Sequence, residues 1–152
     1  MTAFFTEVRQ TLLPERDAKF GPLPPLMVAM TVVTGLVDAF SYLVLGHVFV
    51  ANMTGNVVLL GFALVGAPGF SITASVAAIL AFGLGAAAGG RISSRLAHHR
   101  GRHLTVAASI QGVFLTVSVI VAATGTSPVS SADRYALIVS LALAMGIQNA
   151  TA

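Results

Sequence analysis

The sequence predicts an all-α, polytopic integral membrane helix bundle with five hydrophobic segments. Three observations carry that expectation. Of 152 residues, 56% are hydrophobic and only 9% charged, with a mean hydropathy of +0.90. Soluble domains carry roughly 25% charged residues, so these few charges cannot cover a soluble globule of this size. The apolar residues fall into long runs, and the charges gather between the runs or ahead of the first.

The formal charge of +3 does not point to nucleic acid. The basic residues form short patches beside apolar runs, as juxtamembrane arginines do, and no aromatic-interleaved basic surface is present. The lipid bilayer is the expected partner. The chain has no cysteine, which excludes disulfides, thiolate metal sites and cysteine catalysis.

Residues 1–21 form a polar or amphipathic N-terminal tail, and residues 22–152 form the membrane domain. In the tail Glu7, Arg9, Glu15, Arg16, Asp17 and Lys19 interrupt any apolar core of a signal peptide. Phe4, Val8 and Leu12 share one helical face and suit a short interfacial helix; a solvated tail suits them equally. Pro22, Pro24 and Pro25 then break the chain and can open a helix. The first apolar run, Leu26–Leu45, is long enough to span about 30 Å of hydrocarbon.

The second run, Met53–Val65, would reach only about 20 Å as a helix, which is short for a span. It can be re-entrant, discontinuous, or lengthened to a full span by extended residues 47–52. The third run, Ile72–Gly90, has Ser71 as its expected N-cap. A basic stretch follows, with Arg91, Arg95, Arg100, Arg102, His98, His99 and His103. The fourth run is Leu104–Thr124, where Gln111 suits an interhelical hydrogen bond. A polar turn to Asp133 leads to the fifth run, Tyr135–Ala152, still apolar where the chain stops. That ending reads as a truncation relative to a longer protein.

Positive residues favour the cytoplasmic side. If all five runs span, the three tail cations and Arg134 oppose the four arginines of the basic stretch. If the second run dips in and returns, the tail and the basic stretch share a side, with seven cations there and Arg134 opposite. Charge therefore favours a re-entrant second segment.

Polar residues inside the apolar runs are the candidate site. A central Asp costs about 2.5–3.5 kcal/mol on insertion scales, so Asp38 should face the protein interior or a water-filled cavity. It is a candidate substrate or proton group; alternatively it is a structural group satisfied by Thr34, Ser41 or Tyr42 and a neighbouring helix. In Gly46-His47-Val48-Phe49-Val50-Ala51-Asn52-Met53-Thr54-Gly55-Asn56, extended-chain formers precede a helix start. Asn52 or Thr54 can cap it, Gly55 permits close approach, and Asn56 repeats Asn52 one turn on. A half-helix starting at depth would present amide groups to a substrate, whereas a polar surface loop would need only an ordinary cap. Gln148 and Asn149 add polar groups late in the fifth run. Ala81, Gly85 and Gly89 recur every four residues, a face suited to close helix packing. The three loop histidines suit a solvated basic loop better than a metal site.

Gly35-Leu36-Val37-Asp38-Ala39, Tyr42-Leu43 and the stretch from Gly46 to Asn56 together resemble the YoaK-type family of bacterial membrane proteins of unknown function. Ala144-Met145-Gly146-Ile147-Gln148-Asn149-Ala150 is similar to that family's second recurring stretch. The resemblance implies a multi-pass inner-membrane protein of roughly six helices whose C-terminal part is missing here. It implies no biochemical activity. Gly35-to-Ala39 and Gly146-to-Ala150 also echo one another, a hint of duplicated halves.

The expected function is that of a small-solute transporter or permease. Asp38, Asn52, Thr54, Gly55, Asn56, Gln148 and Asn149 would be its substrate-binding residues. The alternative is a non-transporting membrane scaffold or accessory subunit. An embedded enzyme ranks below both: nothing arranges Asp38 and His47 as nucleophile and base. No catalytic residue, metal or cofactor is expected; a small-molecule substrate and a homo-oligomer are compatible with the reading.

Overall fold

A computed structural model describes residues 23–96, 112, 113, 116, 120 and 130–151. The tail, the histidines of the basic stretch, Gln111 and most of the fourth run lie outside them. Four helices are described: α1 (Leu23–Val44), α2 (Met53–Leu64), α3 (Ile72–Leu96) and α4 (Ser131–Thr151). Among the described residues there is no strand. Helix α1 starts three residues before the apolar run because Pro24 and Pro25 fit a first turn, whose amides lack intrahelical partners anyway. Helix α3 continues through Arg91 to Leu96, beyond the apolar boundary at Gly90. α1 and α3 are each long and apolar enough to cross a membrane.

The chain divides into two compact units, residues 1–36 and 37–152. In the first, the described part of α1 exposes Met27, Val28, Val32, Val33 and Leu36, an apolar surface suited to lipid. The hydroxyls of Thr31 and Thr34 donate to the carbonyls of Met27 and Met30, at 2.9 and 2.8 Å. Such back-bonding hides a hydroxyl within its own helix.

The second unit holds the core, built around α3 and α4. On α3, Ala74, Ala78, Ala81, Gly85 and Gly89 are buried. A methyl group on Gly85 would collide with the Leu143 carbonyl, and one on Gly146 with the Phe82 carbonyl; at Gly89 it would stand 2.8 Å from the Ile147 oxygen. Small residues thus let two backbones touch, which in lipid replaces the hydrophobic drive between helices. Thr73 Oγ1 meets the Tyr135 hydroxyl at 3.0 Å at the starts of the two helices. The paired positions rise together, so α3 and α4 run parallel.

Helix α2 has 12 residues, about 18 Å of rise. Phe62, near its end, lies 5.5 Å from Phe70 between ring centroids, and Phe70 lies 5.7 Å from the His47 ring. His47 Nδ1 is 2.9 Å from the Gly69 carbonyl oxygen. The two ends of the excursion from residue 47 to residue 69 therefore meet.

These contacts set a paired test of the helix interface. Gly146→Val should cost about 1–3 kcal/mol by overpacking and lower the thermal midpoint in detergent. Gly83, which has open space where a Cβ would stand, should accept Ala with no loss. Equal melting of both variants would contradict the backbone contact.

Candidate functional site

The site begins where α1 stops. Gly46 and His47 have φ of +91° and +57°, and together they turn the chain. A left-handed conformation is easy for glycine but costs a histidine roughly 1–2 kcal/mol, which here its ring contacts offset. Besides its bond to Gly69, the His47 ring meets Tyr42 edge-on at 4.9 Å; Tyr42 in turn stacks on Phe49 at 5.3 Å.

Residues 47–52 are irregular, and Val48 and Val50 are wholly buried. The His47 amide still donates to the Tyr42 carbonyl of α1 at 3.0 Å, but no strand or helix pairs the amides of residues 49–51. Asp38 Oδ1 accepts from the Val50 and Ala51 amides at 2.9 and 2.8 Å. Asn56, 0% exposed, accepts the Phe49 amide on Oδ1 at 2.9 Å and donates from Nδ2 to the Phe49 carbonyl at 2.6 Å. Two side chains thus supply the pairing that an adjacent strand would give. Asp38 lies six residues before Val44, about 9 Å along α1, so the irregular segment doubles back alongside α1.

Helix α2 then starts with its own cap. Asn52 Oδ1 accepts the Gly55 amide at 3.2 Å, as an N-cap does. At Gly55 a Cβ would stand 2.7 Å from the Phe49 ring. The close approach at this glycine is made by Phe49.

Asp38, Asn52, Gly55 and Asn56 are thus gathered around residues 49–51. Thr54 is exposed and forms none of these bonds. Asp38 takes its partners from across the turn; Thr34 bonds within its own helix, and Ser41 donates to the Asp38 main-chain carbonyl at 3.0 Å. Gln148 is buried and Asn149 exposed. Ile147 packs at Gly89, some 25 Å along α3 from its start, so this pair stands well apart from the hairpin. Ala81, Gly85 and Gly89 line the buried face of α3 toward α4. Among the described residues no three His, Asp or Glu side chains converge.

Sequence reasoning did not single out Tyr135 or Thr73, and used Arg134 only in the count of charges; Ser71 caps α3 as expected, its Oγ accepting the Ala74 amide at 3.3 Å. Ser71 Oγ contacts Thr73 Oγ1 at 3.0 Å, and Thr73 Oγ1 contacts the Tyr135 hydroxyl. Arg134 Nη1 would lie 3.3 Å from a Cβ on Gly46. The available signal was the isolated positive charge of Arg134 beside a tyrosine.

A family model described as "Protein of unknown function (DUF1275)" matches residues 26–152. The chain belongs to the DUF1275 family. A relative, the UPF0700 transmembrane protein YoaK of Bacillus subtilis (strain 168), is 44% identical over 57 residues, a match covering 38% of this chain and 25% of that protein. No solved structure matches. As a DUF1275 protein with two helices able to cross a bilayer and a transmembrane relative, it is a membrane protein.

The two clamps respond differently to substitution. Asn56→Ala would leave the part-buried amide and carbonyl of Phe49 without their partners, at up to about 1–3 kcal/mol each, and should lower the thermal midpoint. Asp38→Asn retains a side-chain oxygen for Val50 and Ala51 and should remain folded. Asp38→Ala loses both bonds and should destabilise far more than Asn. Equal stability of the Asn and Ala variants in a detergent melt would rule out the clamp.

Proposed function

We propose that this chain is the membrane domain of a small-solute transporter or permease of the bacterial inner membrane, with no enzymatic activity, in which residues 47–69 form a re-entrant hairpin. The observation that carries the reading is the irregular segment held by buried Asp38 as it feeds the 12-residue helix α2. Irregular backbone at membrane depth is tolerated where protein buries it or a cavity adjoins it, and broken helices beside ionisable groups build transporter sites. Asp38 is the group whose charge the transport cycle uses, and Asn52, Thr54, Gly55 and Asn56 line the hairpin. Gln148 and Asn149 would act at a separate level of the bundle.

The same geometry supports a topology. The end of α1, both ends of the hairpin and the starts of α3 and α4 lie at one end of the second unit. Parallel α3 and α4 require the chain to return between Leu96 and Ser130. Charge favours the tail and the arginine stretch sharing the cytoplasmic side, with Arg134 opposite.

A non-transporting scaffold is the second reading. It is favoured by the same hydrogen bonds: Asp38 Oδ1 and both ends of the Asn56 amide serve the hairpin's own backbone.

Uptake of a panel of labelled solutes into proteoliposomes separates the two. A transporter should accumulate at least one solute, and Asp38→Asn, folded, should abolish uptake. A folded Asp38→Asn protein with unchanged uptake would remove the charge from the mechanism. For topology, single cysteines replacing Arg16 and Arg95 should label from one side, and those replacing Ala67 and Ala132 from the other. Labelling of Arg16→Cys and Arg95→Cys from opposite faces would exclude the re-entrant hairpin.

A further inference from the structure

We infer that Arg134 is the centre of an anion-binding site at the outer mouth of the hairpin, taking a carboxylate or phosphate group. The inference rests on the topology proposed above, which sets this end of the bundle outside, and it names a ligand class that the reading of the hairpin does not.

Four features of Arg134 point the same way. Its guanidinium has no acidic partner among the described residues. The neighbouring Asp133 is engaged elsewhere: its Oδ2 accepts from Ser130 Oγ at 2.7 Å, and its amide donates to the same Oγ at 3.1 Å, closing the cap of α4. Arg134 also stands in the first turn of α4, where the helix dipole disfavours a cation and favours an anion. It is the one basic residue assigned to its side of the membrane, against the general bias. Finally, the fold makes room for it. Gly46, at φ +91°, leaves open the space in which a Cβ would approach Arg134 Nη1 to 3.3 Å and Cδ to 3.9 Å.

The surroundings hold the guanidinium in place. It lies 5.8 Å from the Tyr135 ring centroid, within the range of cation–π attraction. Tyr135 is itself tied through its hydroxyl to Thr73, and Thr73 to Ser71. Beside Gly46, His47 is tied through Nδ1 to the Gly69 carbonyl; that oxygen can only accept, so Nδ1 carries the proton. A half-buried guanidinium with no acidic partner among the described residues matches the planar, bidentate geometry of carboxylate and phosphate. Such a group comes either from a dissolved anion or from a lipid headgroup.

The chain provides its own reporter. Its two tyrosines are Tyr42, against His47, and Tyr135, under Arg134, and it has no tryptophan. Intrinsic tyrosine fluorescence of the full chain in phosphatidylcholine nanodiscs should therefore change saturably on addition of inorganic phosphate or succinate. Choline chloride at equal ionic strength should give no such change. Arg134→Gln should raise the apparent Kd at least tenfold, and Arg134→Lys, which retains charge but loses the fork, should raise it less. If Arg134→Gln fails to fold, the Lys variant carries the test. A saturable change seen only when phosphatidylglycerol is introduced, and lost on substitution of Arg134, identifies the lipid headgroup as the source. No saturable response to phosphate, succinate or phosphatidylglycerol would overturn the site, as would an unaltered Kd in folded variants. Because the readout is binding, it is independent of whether any solute is taken up.

Discussion

The amides of residues 49–51 impose the constraint on which the rest of the structure depends. They lie in an apolar chain, outside any helix, with no neighbouring strand. A buried peptide group without a partner costs several kilocalories per mole in hydrocarbon-like surroundings. Asp38 and Asn56 supply the missing partners, one from α1 and one from α2. Their positions fix how far the segment doubles back, where α2 begins and which side chain faces Gly55. A helix starting there has its own cap in Asn52 and only 12 residues before the glycine turn. The hairpin is the consequence of satisfying three amides.

The second constraint is the contact of α3 with α4. Gly85, Gly89 and Gly146 bring the two backbones together in parallel. At the starts of these helices, Thr73 meets Tyr135, and Arg134 fits against Gly46. The hairpin and the helix pair therefore converge at one end, where Thr73, Tyr135 and Arg134 also stand.

What the sequence makes legible follows from the range of each signal. The membrane class, the short second segment and the Asn52 cap rest on composition, run length and bonds three residues apart, all local quantities. The small residues of α3 show their spacing, but not that Gly146 would face them, because that pairing depends on a parallel register. Asp38 is conspicuous as a lone acid. Its partners are not, because they lie 12 and 13 residues away across a turn made by a left-handed histidine. Helical spacing pointed instead to Thr34 and Ser41, which bond to backbone carbonyls of their own helix. Arg134 left only a charge on an unexpected side, since its fit against Gly46 bridges two distant segments.

The two clamps also differ in what they join. Asn56 bonds to Phe49, seven residues earlier, so both partners belong to the hairpin. Asp38 belongs to α1 and bonds to Val50 and Ala51 across the turn. Displacement of the hairpin as a unit would leave the Asn56 bonds closed and break those of Asp38. The neutral clamp thus holds the hairpin's shape, and the ionisable one ties that shape to its neighbour. A change of charge or ligand at Asp38 would act on the tie without unfolding the element it holds. That division places the ionisable residue at the tie between the hairpin and α1.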